Sequence, residues 1–288
     1  MDSTRLKEWL ETDTVQASER YQHTRLVERA DRRAAVLDDL RAFWRAAHAD
    51  AKEYIRFALG YDTLDPLADP NADPAADFPA VLDLLTLQGY FGEVLAGLIA
   101  EYFEPHGEAN WRVPAYLFRG HLAAFHQFER TRQDEPANRS MGRPGNDCLA
   151  FTLDEDGDVA QALVCEAKCT LDHDAGLIAD AHQQISDANY RPVDVMQLVH
   201  VLADSKSPHA QVWVRALRRY LNQRPPTVPR FDLVVYVCGR RPVASADGCW
   251  IDRASPHARY TASRHLQATE VHLVDVEQLI RDVYGKSR

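Results

Sequence analysis

Apolar residues follow a helical period over several long stretches of the chain. The clearest case is residues 87–104, where apolar side chains recur three or four positions apart, so this stretch predicts a helix. The stripe consists of Phe91, Val94, Leu95, Leu98, Ile99 and Tyr102. Similar spacing predicts helices over residues 3–59 and over three later stretches, 177–190, 193–203 and 210–221.

Other stretches have the patterns of strands. Two apolar runs flank Asp156-Gly157, a pair of residues that is a strong signal for a two-residue hairpin turn. Residues 231–237 read as a buried strand, and residues 269–285 read as a strand running into a helix. The order helix, hairpin, helices, strand, strand, helix predicts a mixed α/β domain.

The composition of residues 61–79 predicts a linker, because prolines and aspartates dominate it and no basic residue occurs. We therefore expect three regions. These are an N-terminal helical segment at 1–60, an acidic linker at 61–79 and the main domain at 80–288.

The hairpin geometry brings charged residues together. A two-residue turn at Asp156-Gly157 places Asp147 directly opposite Glu166, with the two side chains on one face of the ladder. Lys168 is two residues from Glu166 and shares that face. A turn one residue longer or shorter would move Asp147 to the other face.

The neighbouring positions on both faces are largely apolar, which is typical of a strand in the middle of an α/β sheet. Two carboxylates held side by side there repel each other, and a divalent cation with oxygen ligands relieves the repulsion. The alternative is a structural ion pair, in which Lys168 neutralises one carboxylate and the other reaches solvent.

A third acid, Glu93, lies on the predicted helix but off its apolar stripe. Its neighbours one turn away are small, namely Gly89, Ala96 and Gly97, so a ligand or another backbone could approach closely. The alternative is a solvated glutamate beside glycines that help the helix to pack.

These residues resemble a known pattern. A glutamate on a leading helix ("GYFGE"), an aspartate opening a strand ("GND") and "EAK" ending the next strand resemble the PD-(D/E)XK nuclease superfamily. The resemblance covers roughly residues 85–190 and implies a restriction-endonuclease-like mixed sheet flanked by helices. One departure is Asn146, which stands where the superfamily's nominal proline would be.

The resemblance implies a metal-dependent endonuclease that hydrolyses DNA. Asp147, Glu166 and Glu93 would be ligands of Mg²⁺, for which Mn²⁺ could substitute, and Lys168 would orient or deprotonate the attacking water. The layout also resembles the nuclease subunits of Hachiman-type two-gene anti-phage systems, which implies a helicase or ATPase partner. The alternative is a catalytically silent subunit that binds nucleic acid or regulates a defence or repair complex.

Charge and composition limit the classes of partner that we expect for the chain. The net charge is −10, but residues 205–265 hold 11 Lys and Arg against 3 Asp, so this part of the chain could face a polyanion. Five cysteines without a CxxC pair, no secretory leader and no long apolar run predict a cytoplasmic protein without a membrane partner. The candidate nucleic-acid-binding residues are Arg143, Gln183, Arg215, Arg218 and Arg219.

Overall fold

The computed structural model describes seven stretches of the chain and one single residue. They are residues 1–58, 73–118, 147–190, 192, 194–205, 207–223, 227–240 and 248–286. The described helices are α1 (Ser3–Trp9), α2 (Arg33–Ala47), α3 (Ala49–Ala58), α4 (Leu84–Tyr102), α5 (Ala175–Asp187), α6 (Asp194–Asp204), α7 (Pro208–Asn222) and α8 (Val276–Tyr284). The described strands are β1 (Leu10–Gln16), β2 (Tyr21–Glu28), β3 (Cys148–Leu153), β4 (Val159–Thr170), β5 (Arg230–Cys238) and β6 (His265–His272).

The six strands form one mixed sheet in the order β1-β2-β6-β5-β4-β3. The four central strands β2, β6, β5 and β4 run parallel, and each edge strand pairs antiparallel to its hairpin partner. Parallel strands need both faces covered, and their sequences are accordingly apolar on both sides. In β5, for example, every residue from Asp232 to Cys238 is buried.

Helices cover the two faces of the sheet as separate layers. One layer contains α1, α2, α4 and α8 and packs on the face that carries Cys148, Cys165 and Val235. The other layer contains α5, α6 and α7 and packs on the face that carries Leu149, Val164 and Val234. Because successive strand residues alternate between faces, Glu166 and Lys168 belong to the second face and Ala167 to the first.

The predicted mixed α/β fold with flanking helices and an N-terminal helical segment is confirmed. One part of the prediction is wrong, since residues 10–28 form the β1–β2 hairpin instead of helix. The helical spacing that predicted helices over residues 3–59 includes Leu26 and Val27, which lie on β2, and it continues into α2. Pairing of β2 with β6, from Tyr21 against Leu266 to Val27 against His272, decides the conformation.

The N-terminal residues and the residues after 147 therefore contribute to the same sheet and the same core. Most of the predicted linker, residues 61–72, lies outside the described residues. Its end does not extend into solvent, because Ala75 and Phe78 are buried in the core that contains α4. No helix in the described part of the chain is long and apolar enough to cross a bilayer.

Candidate active site

The β3–β4 hairpin has the register that the sequence predicts. Cys148 faces Cys165, and the ladder continues without interruption to Thr152 facing Gln161. The ladder ends at Cys148, and the same register continued by one residue places Asp147 opposite Glu166, at the end of the hairpin away from the turn. Both residues lie on the face covered by α5.

The turn itself differs from the predicted two-residue type. Asp154 and Asp158 close the loop, since the Asp154 amide donates to the Asp158 carbonyl at 2.9 Å and leaves three residues between them. Gly157 has a φ of 73°, whereas Asp156 does not have a positive φ. A bulge at Ala160 then shifts the ladder by one residue between Leu153–Val159 and Thr152–Gln161. The longer loop and the bulge compensate, so the register at Asp147 is unchanged.

Arg219 on α7 holds this turn in place. Its guanidinium donates to the Gly157 carbonyl at 3.0 Å and forms an ion pair with Asp158. The Arg219 guanidinium, which was expected to contact nucleic acid, therefore binds the hairpin turn. Arg215 and Arg218 on the same helix are exposed, and Arg143 lies outside the described residues.

Asp147 and Glu166 form the centre of the site. The amide of Ala167 donates to the Oδ2 atom of Asp147 at 2.7 Å, which fixes this carboxylate beside β4. Glu166 is 4% exposed. Burial, repulsion by Asp147 and a hydrogen bond with Asp147 raise the pKa of Glu166 to about 8, although Lys168 acts in the opposite direction.

Lys168 is the cation of the site. Its Nζ atom donates to Glu166 Oε1 at 2.7 Å and to Gln184 Oε1 at 2.8 Å. Burial acts to lower the pKa of Lys168, but the charges of Glu166 and Asp147 outweigh it and raise the pKa above its ordinary value. Lys168 is therefore an ammonium group held between β4 and α5.

The two glutamines on α5 have different contacts. Gln184 reaches the site through Lys168, whereas the exposed Gln183 accepts a hydrogen bond from Arg259 at 3.3 Å. A helical offset of about 100° between neighbouring residues separates the two side chains.

Glu93 is placed in the other layer. It is 7% exposed on α4, which packs on the sheet face opposite Glu166 and Lys168. Burial is the largest cause that raises the pKa of the Tyr90 hydroxyl, and the charge of Glu93 is the second largest. Glu93, Asp147 and Glu166 are all described, and their carboxylates do not form a group with all ligand atoms within 4.8 Å of one another. The structure thus brings together Asp147, Glu166 and Lys168, and it leaves Glu93 apart.

The small residues around Glu93 serve the packing of α4. A Cβ atom at Gly97 would lie 2.0 Å from the hydroxyl oxygen of Tyr116, so glycine makes room for this ring. Gly92 lies against Cys169 and Ala167 on β4. At Gly89, by contrast, a Cβ atom would have no neighbour within 4 Å.

The sequence did not indicate a second polar cluster, which lies around Glu270 on β6. Within the described residues, His23, Cys249 and Glu270 are the one set of potential metal ligands with all ligand atoms within 4.8 Å of one another. Glu270 accepts hydrogen bonds from His23 at 2.7 Å, from His272 at 2.9 Å and from two backbone amides. Burial would raise the pKa of Glu270, but these bonds lower it to about 2. A carboxylate with four donors is already satisfied, so we interpret the cluster as a structural hydrogen-bond network.

No protein-family model matches the chain, and no curated protein sequence matches it either.

Proposed function

We propose that the protein is a metal-dependent endonuclease that hydrolyses phosphodiester bonds of DNA. The observation that carries this proposal is the contact between two carboxylates and an ammonium group at the end of the β3–β4 hairpin. Burial and the nearby charge of Asp147 raise the pKa of Glu166 to about 8, and Lys168 is 2.7 Å from Glu166. The resemblance of "GND" and "EAK" to the PD-(D/E)XK superfamily supports the same function.

The residues present fit a divalent cation. Two adjacent carboxylates, one of them buried, supply the oxygen ligands that Mg²⁺ or Mn²⁺ prefers, and a bound cation would remove their mutual repulsion. In this proposal Asp147 and Glu166 hold the ion. When bound, the ion lowers the pKa of water and neutralises charge on the phosphate.

The protein's own groups have distinct tasks. The Ala167 amide fixes the orientation of Asp147, and Gln184 fixes Lys168 from the helix side. Lys168 has a raised pKa and therefore carries a proton and a positive charge at neutral pH. Its task in the proposal is to orient the attacking water and stabilise negative charge that develops on the phosphate.

Anti-phage defence with a helicase or ATPase partner belongs to the same proposal. The chain has no phosphate-loop motif, because the terminal "GKS" lacks the upstream glycine, so energy from ATP would come from the partner. The net charge of −10 indicates weak DNA affinity for the chain alone. Exposed Arg215 and Arg218 on α7 are the described candidates for phosphate contacts.

One observation favours a second candidate, a catalytically silent subunit that binds nucleic acid. Glu93 does not join Asp147 and Glu166 in a compact ligand group. A site with two carboxylates could hold an ion too weakly for turnover while the surrounding surface still binds DNA.

The experiment compares nicking of supercoiled plasmid with Mg²⁺, with Mn²⁺ and with EDTA. The variants Asp147→Asn, Glu166→Gln and Lys168→Ala should each lower nicking by at least about 100-fold. Glu155→Gln is the matched control, because Glu155 lies in the exposed turn of the same hairpin. Unchanged nicking in all three variants would reject the site, and DNA binding without cleavage under either metal would favour the silent subunit.

A further inference from the structure

An ion pair between Arg259 and Asp180 lies beside the candidate active site, on the helix that supplies Gln184. Asp180 and Gln184 are four residues apart on α5, so they lie one turn apart and about 40° from each other around the helix axis. Gln184 contacts Lys168 at 2.8 Å. Asp180 therefore lies one helical turn from a side chain that contacts the cation of the site.

The charge of Asp180 also acts on the site. Burial acts to lower the pKa of Lys168, whereas the charges of Glu166, Asp147 and Asp180 act to raise it, in that order. Asp180 thus adds a third carboxylate to the surroundings of this ammonium group. Its side chain is 54% exposed, so solvent or a ligand can reach it.

Arg259 is the exposed cation that pairs with Asp180. Its Nη1 atom donates to Asp180 Oδ1 at 2.8 Å and to Gln183 Oε1 at 3.3 Å. Both bonds use Nη1, so within the described part of the chain the Nε and Nη2 atoms of Arg259 make no hydrogen bond. The side chain is 51% exposed, and ion pairs between exposed side chains stabilise a fold little. The guanidinium therefore has donors available for an anion.

The backbone that carries Arg259 is held against α5 and β5. The Tyr260 hydroxyl donates to Asp232 on β5 at 2.9 Å, and the Thr261 amide donates to Ser186 Oγ on α5 at 2.9 Å. These bonds fix where the Arg259 side chain starts. An anion that binds this cation does not have to order the surrounding backbone, which lowers the cost of binding.

We propose that Arg259 binds a phosphate of the DNA backbone next to the one that is cut, and that Asp180 competes with this phosphate for the guanidinium. The inference rests on the proposed function, because it assigns a further contact of the DNA that the site would cut. A guanidinium matches a phosphate with two parallel hydrogen bonds, and phosphate replaces an exposed carboxylate partner at little cost.

The test measures binding of a short DNA duplex to the full chain by fluorescence anisotropy, in EDTA and over a series of salt concentrations. Arg259→Ala should weaken binding at least about fivefold and lower the slope of log K against log salt by about 1. Asp180→Asn should act in the opposite direction and tighten binding at least about twofold, because it removes the competing carboxylate. Arg259→Lys keeps the charge but not the fork, so it should bind more weakly with an unchanged salt slope.

Arg56 and Asp73 provide the matched control. They also form an ion pair of exposed side chains, with exposed fractions of 48% and 38%, and they lie in the helical layer on the opposite face of the sheet. Arg56→Ala and Asp73→Asn should each leave the DNA affinity within about 1.5-fold of wild type, since salt screens charges that lie more than a Debye length from the DNA.

The two variants of the Arg259–Asp180 pair separate a phosphate contact from a structural ion pair. A structural pair predicts that Arg259→Ala and Asp180→Asn change binding in the same direction. That result, wild-type affinity of Arg259→Ala, or no binding of DNA by the wild-type chain at low salt would each overturn the proposal.

Plasmid nicking tests the proposed function separately. Opposite changes in affinity without nicking under Mg²⁺ or Mn²⁺ would support the phosphate contact and reject the nuclease. Metal-dependent nicking together with unchanged affinity of Arg259→Ala would support the nuclease and reject the phosphate contact.

Discussion

The Nζ atom of Lys168 lies 2.7 Å from the Oε1 atom of Glu166, and Asp147 stands beside both. Two acids therefore share one ammonium group in a mostly buried position. One positive charge cannot neutralise two carboxylates, and burial together with the charge of Asp147 raises the pKa of Glu166. Such an arrangement costs stability, which is common where a fold holds functional groups in place.

Glu166→Gln should stabilise the protein in the presence of EDTA. The folded pKa of Glu166 is raised to about 8 from 4.5, so the folded state keeps a proton that the unfolded state has lost. The contribution of Glu166 to the free energy of unfolding is complete below pH 4.5 and is lost as the pH rises through 8. At pH 9 the neutral amide should therefore raise the unfolding free energy by about 1–3 kcal/mol, as measured by urea denaturation.

The same measurement separates the two interpretations of the site. Glu155→Gln in the exposed turn should change stability by less than about 0.5 kcal/mol at either pH. A structural ion pair between Lys168 and Glu166 would give the opposite result for Glu166→Gln, namely a loss of stability at pH 9. That loss would contradict the interpretation of a strained functional site.

Gln184→Ala should reduce nicking by roughly 10-fold without removing any charge from the site. The amide oxygen of Gln184 is 2.8 Å from Lys168, so its removal frees the ammonium group to reorient toward Glu166 alone. Single-turnover plasmid cleavage with saturating Mg²⁺ measures the effect. Asp187→Asn, an exposed position further along α5, is the control. A rate equal to wild type for Gln184→Ala would show that Lys168 does not need this contact.

The sequence predicted the pairing of Asp147 with Glu166 but not the turn that produces it. Alternating apolar residues and Gly157 were local signals, whereas no local signal in the sequence marks the bulge at Ala160. The compensation between loop length and bulge preserved the predicted register. Residues 21–28 were mistaken for helix because their partner, β6, lies more than 240 residues away in sequence. Local periodicity carries no information about such a partner.

The position of Glu93 illustrates a second limit. The sequence predicted that Glu93 lies on a helix and beside glycines. The structure has this helix, since α4 begins at Leu84 and is capped by Asp83. Which sheet face this helix covers depends on the whole topology. The glycine at 97 suggested room for a ligand, but Tyr116 fills the space.

Gly157→Ala should destabilise the hairpin by about 1 kcal/mol or more, because alanine is strained at a φ of 73°. Asp156→Ala, at the neighbouring position without a positive φ, should cost less than about 0.5 kcal/mol. Thermal unfolding of the two variants measures the difference. Equal stability of both variants would argue against the three-residue loop and favour a turn in which both central residues have similar conformations.

Two glycines on α4 should respond to alanine in opposite directions. At Gly97 the added methyl group meets the Tyr116 hydroxyl, so Gly97→Ala should cost about 1–3 kcal/mol from overpacking. At Gly89 the space is open, and Gly89→Ala should gain about 0.5–1 kcal/mol from helix propensity. Tyr116→Phe removes the clashing oxygen and should partly rescue Gly97→Ala. A double variant no more stable than Gly97→Ala would contradict this contact as the cause.

Two buried histidines and one half-buried histidine should make the protein lose stability as the pH falls from 6.5 toward 4. Burial lowers the pKa values of His48, His106 and His182 to about 4. Below pH 6.5 the unfolded state takes up protons that the folded state refuses, so unfolding becomes easier. Glu166 and Glu101 act in the opposite sense, because their pKa values are raised. The expected net slope near pH 5.5 is about 1–3 kcal/mol per pH unit.

His182→Gln tests this account through the slope, which is independent of any constant loss of stability from the substitution. His182 is fully buried and donates from Nδ1 to the Ile178 carbonyl at 2.8 Å, so protonation of its ring would place a positive charge in the core. Removing it should reduce the slope by about 1.4 kcal/mol per pH unit, because one fewer proton is taken up on unfolding. Gln183→Ala, at an exposed position on α5 that does not titrate, should leave the slope unchanged. Urea denaturation at several values between pH 5 and pH 7 measures both slopes, and equal slopes for the two variants would mean that His182 is already protonated in the folded protein.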